Sequence, residues 1–266
     1  MKIGLKLFET GYRFGSDERA RIYLTNTLEK PKDISDYFEQ MAPAFAHEAI
    51  AANRIKEKNS ITILVGNPPY SNYSANLSPL CRKIVNKYRN YHGVAIRERN
   101  QLQFERNIQD DFVKFVAIGE DLIMSGGEGI FGMITNATML GSRSLRGMRE
   151  HLRHTFDDMY ELHLHGGTNE IFEGAEGDQN VFDIEQAVAI HIYQRKDGKG
   201  CGSVKLYDLV GSRLKKYEAL SKETITSRPY QEIIPDDDNC GFLVQDEHSA
   251  KSLTIMSNIF VQYGAG

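Results

Sequence analysis

Four consecutive residues, Asn67-Pro68-Pro69-Tyr70, have the types and spacing needed to hold a planar amino group. Each proline fixes its own φ angle and lacks an N–H donor, and Pro69 also keeps Pro68 out of the helical region. The turn therefore offers two acceptors, the side-chain oxygen of Asn67 and the carbonyl of Pro68. Two acceptors suit an NH₂ group with two protons, and Tyr70 adds a flat face on which a planar group can stack. We refer to residues 67–70 as the amino-group clamp.

The surrounding pattern predicts that the clamp lies at the end of a strand. Apolar, β-branched runs predict strands at Ile22–Leu24, Ile61–Gly66, Gly129–Thr135, Met159–His165 and Ala187–Gln194. Helical periodicity predicts helices over Ile34–Lys58 (with Pro43 near a boundary), Asp111–Met124 and Ser142–His154. Helices between apolar strands favour an α/β sheet that is mainly parallel, and the uniformly apolar strand at residues 61–66 is expected to be covered on both faces. Ligands of such sheets bind beyond the carboxyl ends of the strands, where the clamp would lie.

Longer segments extend this pattern into a family resemblance. They are GNPPYSNYS at 66–74, QDDFVKFV at 109–116, GIFGMITNATML at 129–140, LRGMREHLRHTFDDMYELHL at 145–164 and NVFDIEQAVAI at 180–190. In this order they resemble the adenine-N6 DNA methyltransferase region of single-polypeptide restriction–modification enzymes, Type ISP and Type IIG. Several methyltransferase classes share the tetrapeptide alone, whereas the ordered set covers nearly the whole chain and is much more specific.

The resemblance implies methyl transfer from S-adenosylmethionine to N6 of an adenine flipped out of duplex DNA. The implied catalytic residues are Asn67, Pro68, Pro69 and Tyr70, of which Asn67 and the Pro68 carbonyl would accept hydrogen bonds from N6. Tyr70 and Phe182 would stack on the target base, and Asn26 and Asn67 would lie near the cofactor. Transfer would be a direct in-line displacement that depends on positioning and electrostatics.

The resemblance also implies parts that we do not find in this chain. The family's glycine-rich cofactor loop and the acidic residue that binds the ribose should precede the Ile22–Leu24 strand. Residues 127–132 fit the spacing G-x-G-x-x-G, but they lead into a strand and are rejected as a cofactor loop. We therefore expect a partial class I, Rossmann-like methyltransferase sheet with helices on both faces, lacking its first two strands and inactive as this chain alone.

The implied organisation has two parts. Residues 1–195 would be the C-terminal part of the catalytic domain. Residues 196–266, which look polar and irregular, would form a linker and the approach to an absent target-recognition domain. Nuclease, helicase and target-recognition parts would belong to the same parent protein or to a partner subunit.

A basic segment follows the clamp. Its candidate DNA-binding residues are Arg82, Lys83, Lys87, Arg89, Arg97 and Arg99. They are interleaved with Tyr88, Tyr91 and Phe104, so the segment could combine phosphate contacts with base stacking. A solvated helix face and loop explains the same pattern equally well. The stripe formed by Arg143, Arg146, Arg149 and Arg153 favours a solvated surface helix.

Other features of the sequence argue against a metal site, a secreted protein and a membrane protein. His163 and His165 share one face of a strand, but no cysteine or carboxylate completes a metal set at convincing spacing, so we predict a structural role and no metal. The chain has 266 residues, a net charge of −4 and three widely separated cysteines, which favours a reducing compartment. The sequence shows neither a signal peptide nor a membrane-spanning run, and we predict a cytoplasmic protein.

Three functions remain open at this stage. The first is the DNA adenine-N6 methyltransferase region. The second is a protein-glutamine methyltransferase, which would use the same clamp on a side-chain amide. The long basic insert after Tyr70 and the position of Phe182 argue against it. The third is a non-catalytic module for DNA binding or assembly, which would pair with a partner that supplies the cofactor loop.

Overall fold

The computed structural model describes residues 2–15, 22–23, 25–29, 42–57, 61–70, 74–170, 176–196, 198 and 200–244. They belong to two compact units, Met1–Asn59 and Ser60–Gly266. The helices are α1 Lys2–Glu9, α2 Pro43–Lys56, α3 Pro79–Ile84, α4 Gln101–Ile108, α5 Asp111–Gly126, α6 Thr138–Gly141, α7 Arg146–Thr155 and α8 Arg213–Lys222, with 3-10 turns at Asn86–Arg89 and Arg143–Leu145. The strands are β1 Ile63–Gly66, β2 Asn90–Tyr91, β3 Val94–Ala95, β4 Gly129–Asn136, β5 Asp158–His165, β6 Val188–Arg195, β7 Ser203–Asp208 and β8 Gln231–Ile233.

The described part of the first unit contains two helices, α1 and α2. Pro43 occupies the first turn of α2, where its fixed φ angle fits and its missing N–H costs nothing. The helix predicted over 34–58 is therefore confirmed from residue 43 to 56, and residues 34–41 lie outside the described chain. The strand predicted at Ile22–Leu24 is wrong for Ile22 and Tyr23, and Leu24 lies outside the described residues. The described residues of this unit include no strand with which that short run could pair.

The second unit is built on a six-stranded sheet with the order β1-β4-β6-β5-β7-β8. β1 is parallel to β4 and β5 is parallel to β7, whereas β6 is antiparallel to both its neighbours and β8 is antiparallel to β7. The α/β class is confirmed, but the sheet is mixed and not mainly parallel. Residues 166–187 join β5 to its neighbour β6, and the described residues of this connection (166–170 and 176–187) form no crossover helix. The chain turns back at one end of the sheet, and the pair is antiparallel. The carboxyl ends of β1, β4, β5 and β7 lie at that same end of the sheet.

Strand β1 forms one edge of the described sheet. Leu64 packs toward α5 at Gly119 and against the main core. Ile63 and Val65, on the opposite face, are 63% and 81% exposed. The prediction that this strand is covered on both faces is therefore wrong, because an apolar run shows that a strand can be buried and not what lies over it.

The core of the unit has two parts. The main cluster joins α5 and α7 to one face of the sheet around Phe131, Phe156 and Tyr193. A smaller cluster on Leu162, Leu164, Val181, Val188 and Leu209 lies near the carboxyl ends of the strands. The helix predicted at Asp111–Met124 and the strands predicted at 129–135, 159–165 and 187–194 are confirmed within two residues at each end. No helix among the described residues is both long enough and apolar enough to cross a bilayer.

The described residues after Arg195 include further regular structure. β7 and β8 extend the sheet, with Val204 and Leu206 of β7 in the main cluster, and Phe242 is buried in that cluster as well. The prediction of an irregular stretch after residue 195 is therefore wrong for Ser203–Asp208, Arg213–Lys222 and Gln231–Ile233. Ser203–Asp208 does alternate between buried and less buried residues, which is the period of a half-buried strand.

The prediction that the arginine stripe lies on a solvated surface is wrong for Arg149. Arg149 is fully buried, and its guanidinium donates to the carbonyls of Met139, Ser142, Asn239 and Cys240. Burial lowers the pKa of Arg149 to about 10. The helix is thus not a solvated basic face at this position, because Arg149 satisfies backbone acceptors in residues 139–142 and 239–240.

Candidate functional site

The amino-group clamp lies at the carboxyl end of β1. Asn67 and Pro69 are exposed, and Pro68 is buried. The Tyr70 hydroxyl lies 3.0 Å from the Asn67 side-chain oxygen and 3.1 Å from the carbonyl of Ile134 in β4. Burial raises the pKa of Tyr70 to about 12, so the hydroxyl is protonated at neutral pH and donates to these acceptors. The phenol thus links the clamp to the neighbouring strand and orients the Asn67 amide.

The two residues predicted to stack on a target base contact the same apolar cluster. Tyr70 and Phe182 are both partly buried, and both pack against the smaller cluster. They come from segments separated by more than a hundred residues, one after β1 and the other before β6. The structure therefore brings Asn67, Tyr70 and Phe182 to the end of the sheet where β1, β4, β5 and β7 finish.

Asn180 organises the loop that carries Phe182. It is 8% exposed, and its amide nitrogen lies within 3.2 Å of the carbonyls of Gly166 and Ile184 and 2.8 Å from that of Gln186. Its side-chain oxygen accepts from the Phe182 N–H at 2.9 Å. One buried amide thus contacts four backbone groups, sharing its two N–H protons among three carbonyls, and sets the conformation on which the position of Phe182 depends.

Helix α8 also holds this loop, and sequence analysis did not identify its contribution. Arg213 donates to the carbonyls of Asn180 (2.7 Å) and Phe182 (3.0 Å), and the Tyr217 hydroxyl donates to Val181 at 2.6 Å. These partners lie 31 to 36 residues away in the chain, so no local pattern relates them.

A buried ionic network positions the segment that follows the clamp. Lys114 of α5 is fully buried, and its ammonium donates to Ser74 Oγ at 2.6 Å and to the Asn76 carbonyl at 2.7 Å. Asp111 lies 3.3 Å from the same ammonium, accepts from Asn76 Nδ2 at 2.8 Å and is hydrogen-bonded to Ser74. The segment QDDFVKFV thus supplies the acid and the base that hold residues 74–76 against α5.

The basic segment divides into exposed and paired cations. Arg82 and Lys83 of α3 are exposed, and both line a cleft of about 800 Å³ whose wall includes Leu77 and Leu102. Arg97 and Arg99 are exposed on the loop before α4. These four side chains present positive charge to solvent on the second unit.

The other two predicted DNA-binding cations already have carboxylate partners. Lys87 lies 2.7 Å from Glu120 and 2.6 Å from Asp121, and Arg89 forms a two-pronged pair with Glu105 at 2.5 and 2.8 Å. The stacking prediction is wrong for Tyr88 and Phe104, which are 0% and 2% exposed and belong to the main core. Tyr91 is partly buried, and its hydroxyl donates to the Asp237 carbonyl at 2.8 Å.

Asn26, predicted to lie near the cofactor, belongs to the first unit. Its side-chain oxygen accepts from the Leu28 N–H at 3.0 Å, and its amide nitrogen lies 3.2 Å from Glu29 Oε1. Lys56 of α2 donates to the Asn26 carbonyl at 2.7 Å. The Asn26 amide therefore stabilises its own turn.

The comparisons with known proteins bear on the fold. No protein-family model and no curated protein sequence matches the chain. Among solved structures, the chain is similar to the ATP-dependent Type ISP restriction-modification enzyme LlaBIII bound to DNA, with a TM-score of 0.63 and 23% identity over 82% of the chain. It is also similar to a nuclease-deletion mutant of the Type ISP enzyme LlaGI in complex with a DNA substrate mimic (TM-score 0.62, 23% identity, 81% of the chain) and to DrdV in a DNA complex (0.60, 22%, 76%).

These likenesses establish a shared fold. The chain spans 15% of the length of LlaBIII, 21% of that of LlaGI and 20% of that of DrdV. It therefore shares the fold of one region of each of these much longer proteins.

Proposed function

We propose that residues 60–244 form the target-base side of an S-adenosylmethionine-dependent DNA methyltransferase that acts on N6 of adenine in a restriction–modification system. The observation that carries the proposal is the convergence of Asn67, Tyr70 and Phe182 at one end of the sheet, with Tyr70 bonded to Asn67 and both aromatic rings on one apolar cluster. The fold shared with LlaBIII, LlaGI and DrdV supports assigning the sheet to the C-terminal part of a class I methyltransferase domain.

The chemistry assigned to these residues is recognition and orientation of an amino group. The Asn67 side-chain oxygen and the Pro68 carbonyl accept the two N6 hydrogens. Accepting a hydrogen bond from each N–H of the amino group increases the electron density on N6 and points its lone pair away from the acceptors. Tyr70 and Phe182 pack on the faces of the extruded base, which offsets the cost of unstacking it.

S-adenosylmethionine supplies the methyl group when bound. Within residues 60–244 as described, we identify no residues that would hold its ribose or adenine. Asn67 is exposed at the strand end and is the predicted contact on this unit. The Asn26 amide is already used in its own turn, and no step is assigned to it.

The exposed cations would contact DNA phosphates. Arg82, Lys83, Arg97 and Arg99 are assigned this role because they face solvent. The pairs that Lys87 and Arg89 form with carboxylates offset their charges, so we expect both to contribute little to DNA affinity.

The clamp is tested by mapping methylated adenine. The protein that carries this chain, expressed from its native reading frame in a methylation-deficient host, is expected to place N6-methyladenine at a defined sequence. Asn67→Ala is expected to lower the methylation rate on the order of 10²–10³-fold, because the amide acts on the reacting nitrogen. Asn90→Ala is the matched control, since Asn90 is an exposed asparagine on the β2–β3 hairpin.

Three results would contradict the proposal. A rate for Asn67→Ala near that of the wild type would refute the role of the clamp. Methylated glutamine in host proteins without methylated adenine would favour a protein-glutamine methyltransferase. DNA binding without methylation and without S-adenosylmethionine binding by that protein would favour the non-catalytic module.

The phosphate-binding cations have their own test. The double variant Arg82→Ala/Lys83→Ala is expected to reduce the slope of log Kobs for DNA against log salt by about 0.9 for each phosphate that the variant no longer neutralises. Arg213 is unsuitable as a control, because it pairs with Asp183 and donates to the Phe182 carbonyl. Lys222→Ala on the exposed end of α8 serves instead, and an equal slope change in both variants would argue against a localised DNA surface.

A further inference from the structure

Two histidines and two carboxylates form a compact cluster at the carboxyl ends of β5 and β7. His163 and His165 come from β5, Asp208 ends β7, and Glu170 follows β5. The imidazole rings lie face to face, with centroids 3.7 Å apart and planes inclined by 31°. Sequence analysis recognised the histidine pair but not the carboxylates, which lie 5 to 45 residues further along the chain.

One edge of the stacked rings faces Asp208. His163 Nδ1 lies 3.4 Å from Asp208 Oδ1, and His165 Nε2 lies 2.8 Å from the same oxygen. One ligand atom from each of the three residues falls within 4.8 Å of the others. Two ligands of one tetrahedral Zn²⁺ lie about 3.3 Å apart, given metal–ligand bonds of about 2.0–2.1 Å. The two nitrogen–oxygen distances are therefore within about half an ångström of the spacing between ligands of one ion.

The opposite edge of the rings faces Glu170. His163 Nε2 and His165 Nδ1 lie 3.3 and 3.4 Å from Glu170 Oε1. The other oxygen of Glu170 accepts from the Gly167 N–H at 2.8 Å, which fixes the carboxylate. Histidines that bind metal usually donate their second ring N–H to a carboxylate, which sets the tautomer and the ring orientation. Glu170 is placed to do this for both rings.

A second observation points to a ligand. His163 is more than nine-tenths buried, yet within the described chain neither of its ring nitrogens makes a hydrogen bond of normal geometry. Buried polar nitrogens in native proteins are nearly always satisfied. An ion beside Nδ1 would satisfy that nitrogen and leave Nε2 to donate to Glu170. The Asp208 side chain is 42% exposed, which gives an ion access from solvent.

We propose that His163, His165 and Asp208 bind a divalent transition-metal ion of the Zn²⁺ type, with Glu170 orienting both histidines. Two imidazoles and a carboxylate are ligands suited to Zn²⁺. The ion joins β5 to β7. It also stabilises residues 166–170, because Glu170 is bonded at Gly167, and the Gly166 carbonyl accepts from Asn180. The site is therefore structural, and it supports the loop that carries Phe182.

The proposal is independent of methyl transfer and is tested on the chain itself. The chain is freed of metal with a chelator, and Zn²⁺ is titrated by calorimetry in a Cys201→Ser background, because Cys201 is an exposed thiol that can bind Zn²⁺. One equivalent is expected to bind with a Kd of about 10 µM or tighter, a free energy of about −7 kcal/mol. Co²⁺ is titrated in parallel, because its visible absorption reports four-coordinate binding.

Substitutions localise the ion. His163→Gln and Asp208→Asn are each expected to weaken binding by at least 100-fold, and Glu170→Gln by about 10–100-fold. His92→Gln is the matched control, because His92 also pairs with a carboxylate, Glu150 at 2.9 Å, but belongs to no metal-binding group found among the described residues. Circular dichroism confirms the fold of each variant. If His163→Gln does not fold, the partly exposed Asp208 is expected to tolerate substitution and carries the test.

Two outcomes would overturn the proposal. The first is a wild-type Kd weaker than about 1 mM or no four-coordinate Co²⁺ spectrum. The cluster would then hold a protonated His165 without metal, since burial lowers the pKa of His165 but Asp208 and Glu170 outweigh that effect and raise it to about 9. The second is unchanged binding in both His163→Gln and Asp208→Asn, which would place the ion elsewhere.

Discussion

Replacing Lys114 with methionine tests how the segment after the clamp is held. Methionine retains most of the volume of lysine in the fully buried site but cannot donate to Ser74, Asn76 or Asp111. All three ammonium protons have acceptors in the native structure, so the change removes two close charge-assisted bonds and one ion pair. Asp111, 6% exposed, would remain buried without a countercharge.

The expected destabilisation follows from that geometry. Removing one partner of a buried ion pair costs about 3–5 kcal/mol, chiefly because the remaining charge is left uncompensated. With a urea slope of about 1–3 kcal/mol per molar, the unfolding midpoint should fall by about 1 M or more. The chain contains no tryptophan, so far-UV circular dichroism is the suitable probe. Lys83→Met, an exposed lysine of α3, is the matched control and should change the free energy of unfolding by less than about 0.5 kcal/mol.

A double-mutant cycle separates the ion pair from the change in packing. Asp111→Asn in the Lys114→Met background removes the stranded charge, so the double variant should be more stable than the sum of the two single effects predicts, by about 1–3 kcal/mol. A stability of Lys114→Met within about 0.5 kcal/mol of the wild type would refute the reasoning. Additive effects would mean that the two side chains act independently.

Three further predictions concern other buried polar groups. Asn180→Ala should speed amide hydrogen exchange over residues 181–186 by on the order of 30-fold or more, because four backbone groups lose their partner; unchanged exchange would contradict this role. Burial would raise the pKa of Glu120, but the hydrogen bond from His151 and the charge of Lys87 outweigh it and lower the pKa to about 2. Its contribution, on the order of 3 kcal/mol, should be fully present above about pH 4.5 and be lost as the pH falls toward 2; acid titration of unfolding should show less of this decrease in Glu120→Gln, and an identical acid profile would refute it. Tyr70→Phe should lower the methylation rate by about tenfold, because the ring remains while the bond to Asn67 is removed; a decrease as large as that of Asn67→Ala would assign the hydroxyl a larger role.

Much of the fold could be predicted because its signals are local. The periods of α5, β4, β5 and β6 are each contained in 8 to 16 residues, and the burial of one face follows from that spacing. The errors occurred where burial or pairing depends on distant segments. Val65 reads as a core residue but lies on an uncovered face, and Arg149 reads as a surface residue but lies beneath the C-terminal segment.

The candidate site shows the same division. Asn67, Pro68 and Tyr70 were recognised without a structure, because proline restricts its neighbours through bonded geometry and the clamp chemistry lies within four residues. The supporting groups were not. Lys114 reaches Ser74 across 40 residues, and α8 reaches the Phe182 loop across more than 30. Such interactions depend on which strands pair and in what register, which no local spacing encodes.

Local sequence patterns were enough to predict the α/β class, the position of the clamp after a strand and the placement of His163 and His165 on one face. Only the tertiary structure placed Phe182 beside the cluster that Tyr70 contacts, and only it brought Asp208 and Glu170 to the two edges of the imidazoles. The reason is physical: bonded geometry and side-chain period act over a few residues, whereas the meeting of side chains far apart in the chain follows from the strand order β6-β5-β7 and from the bulge between His163 and His165.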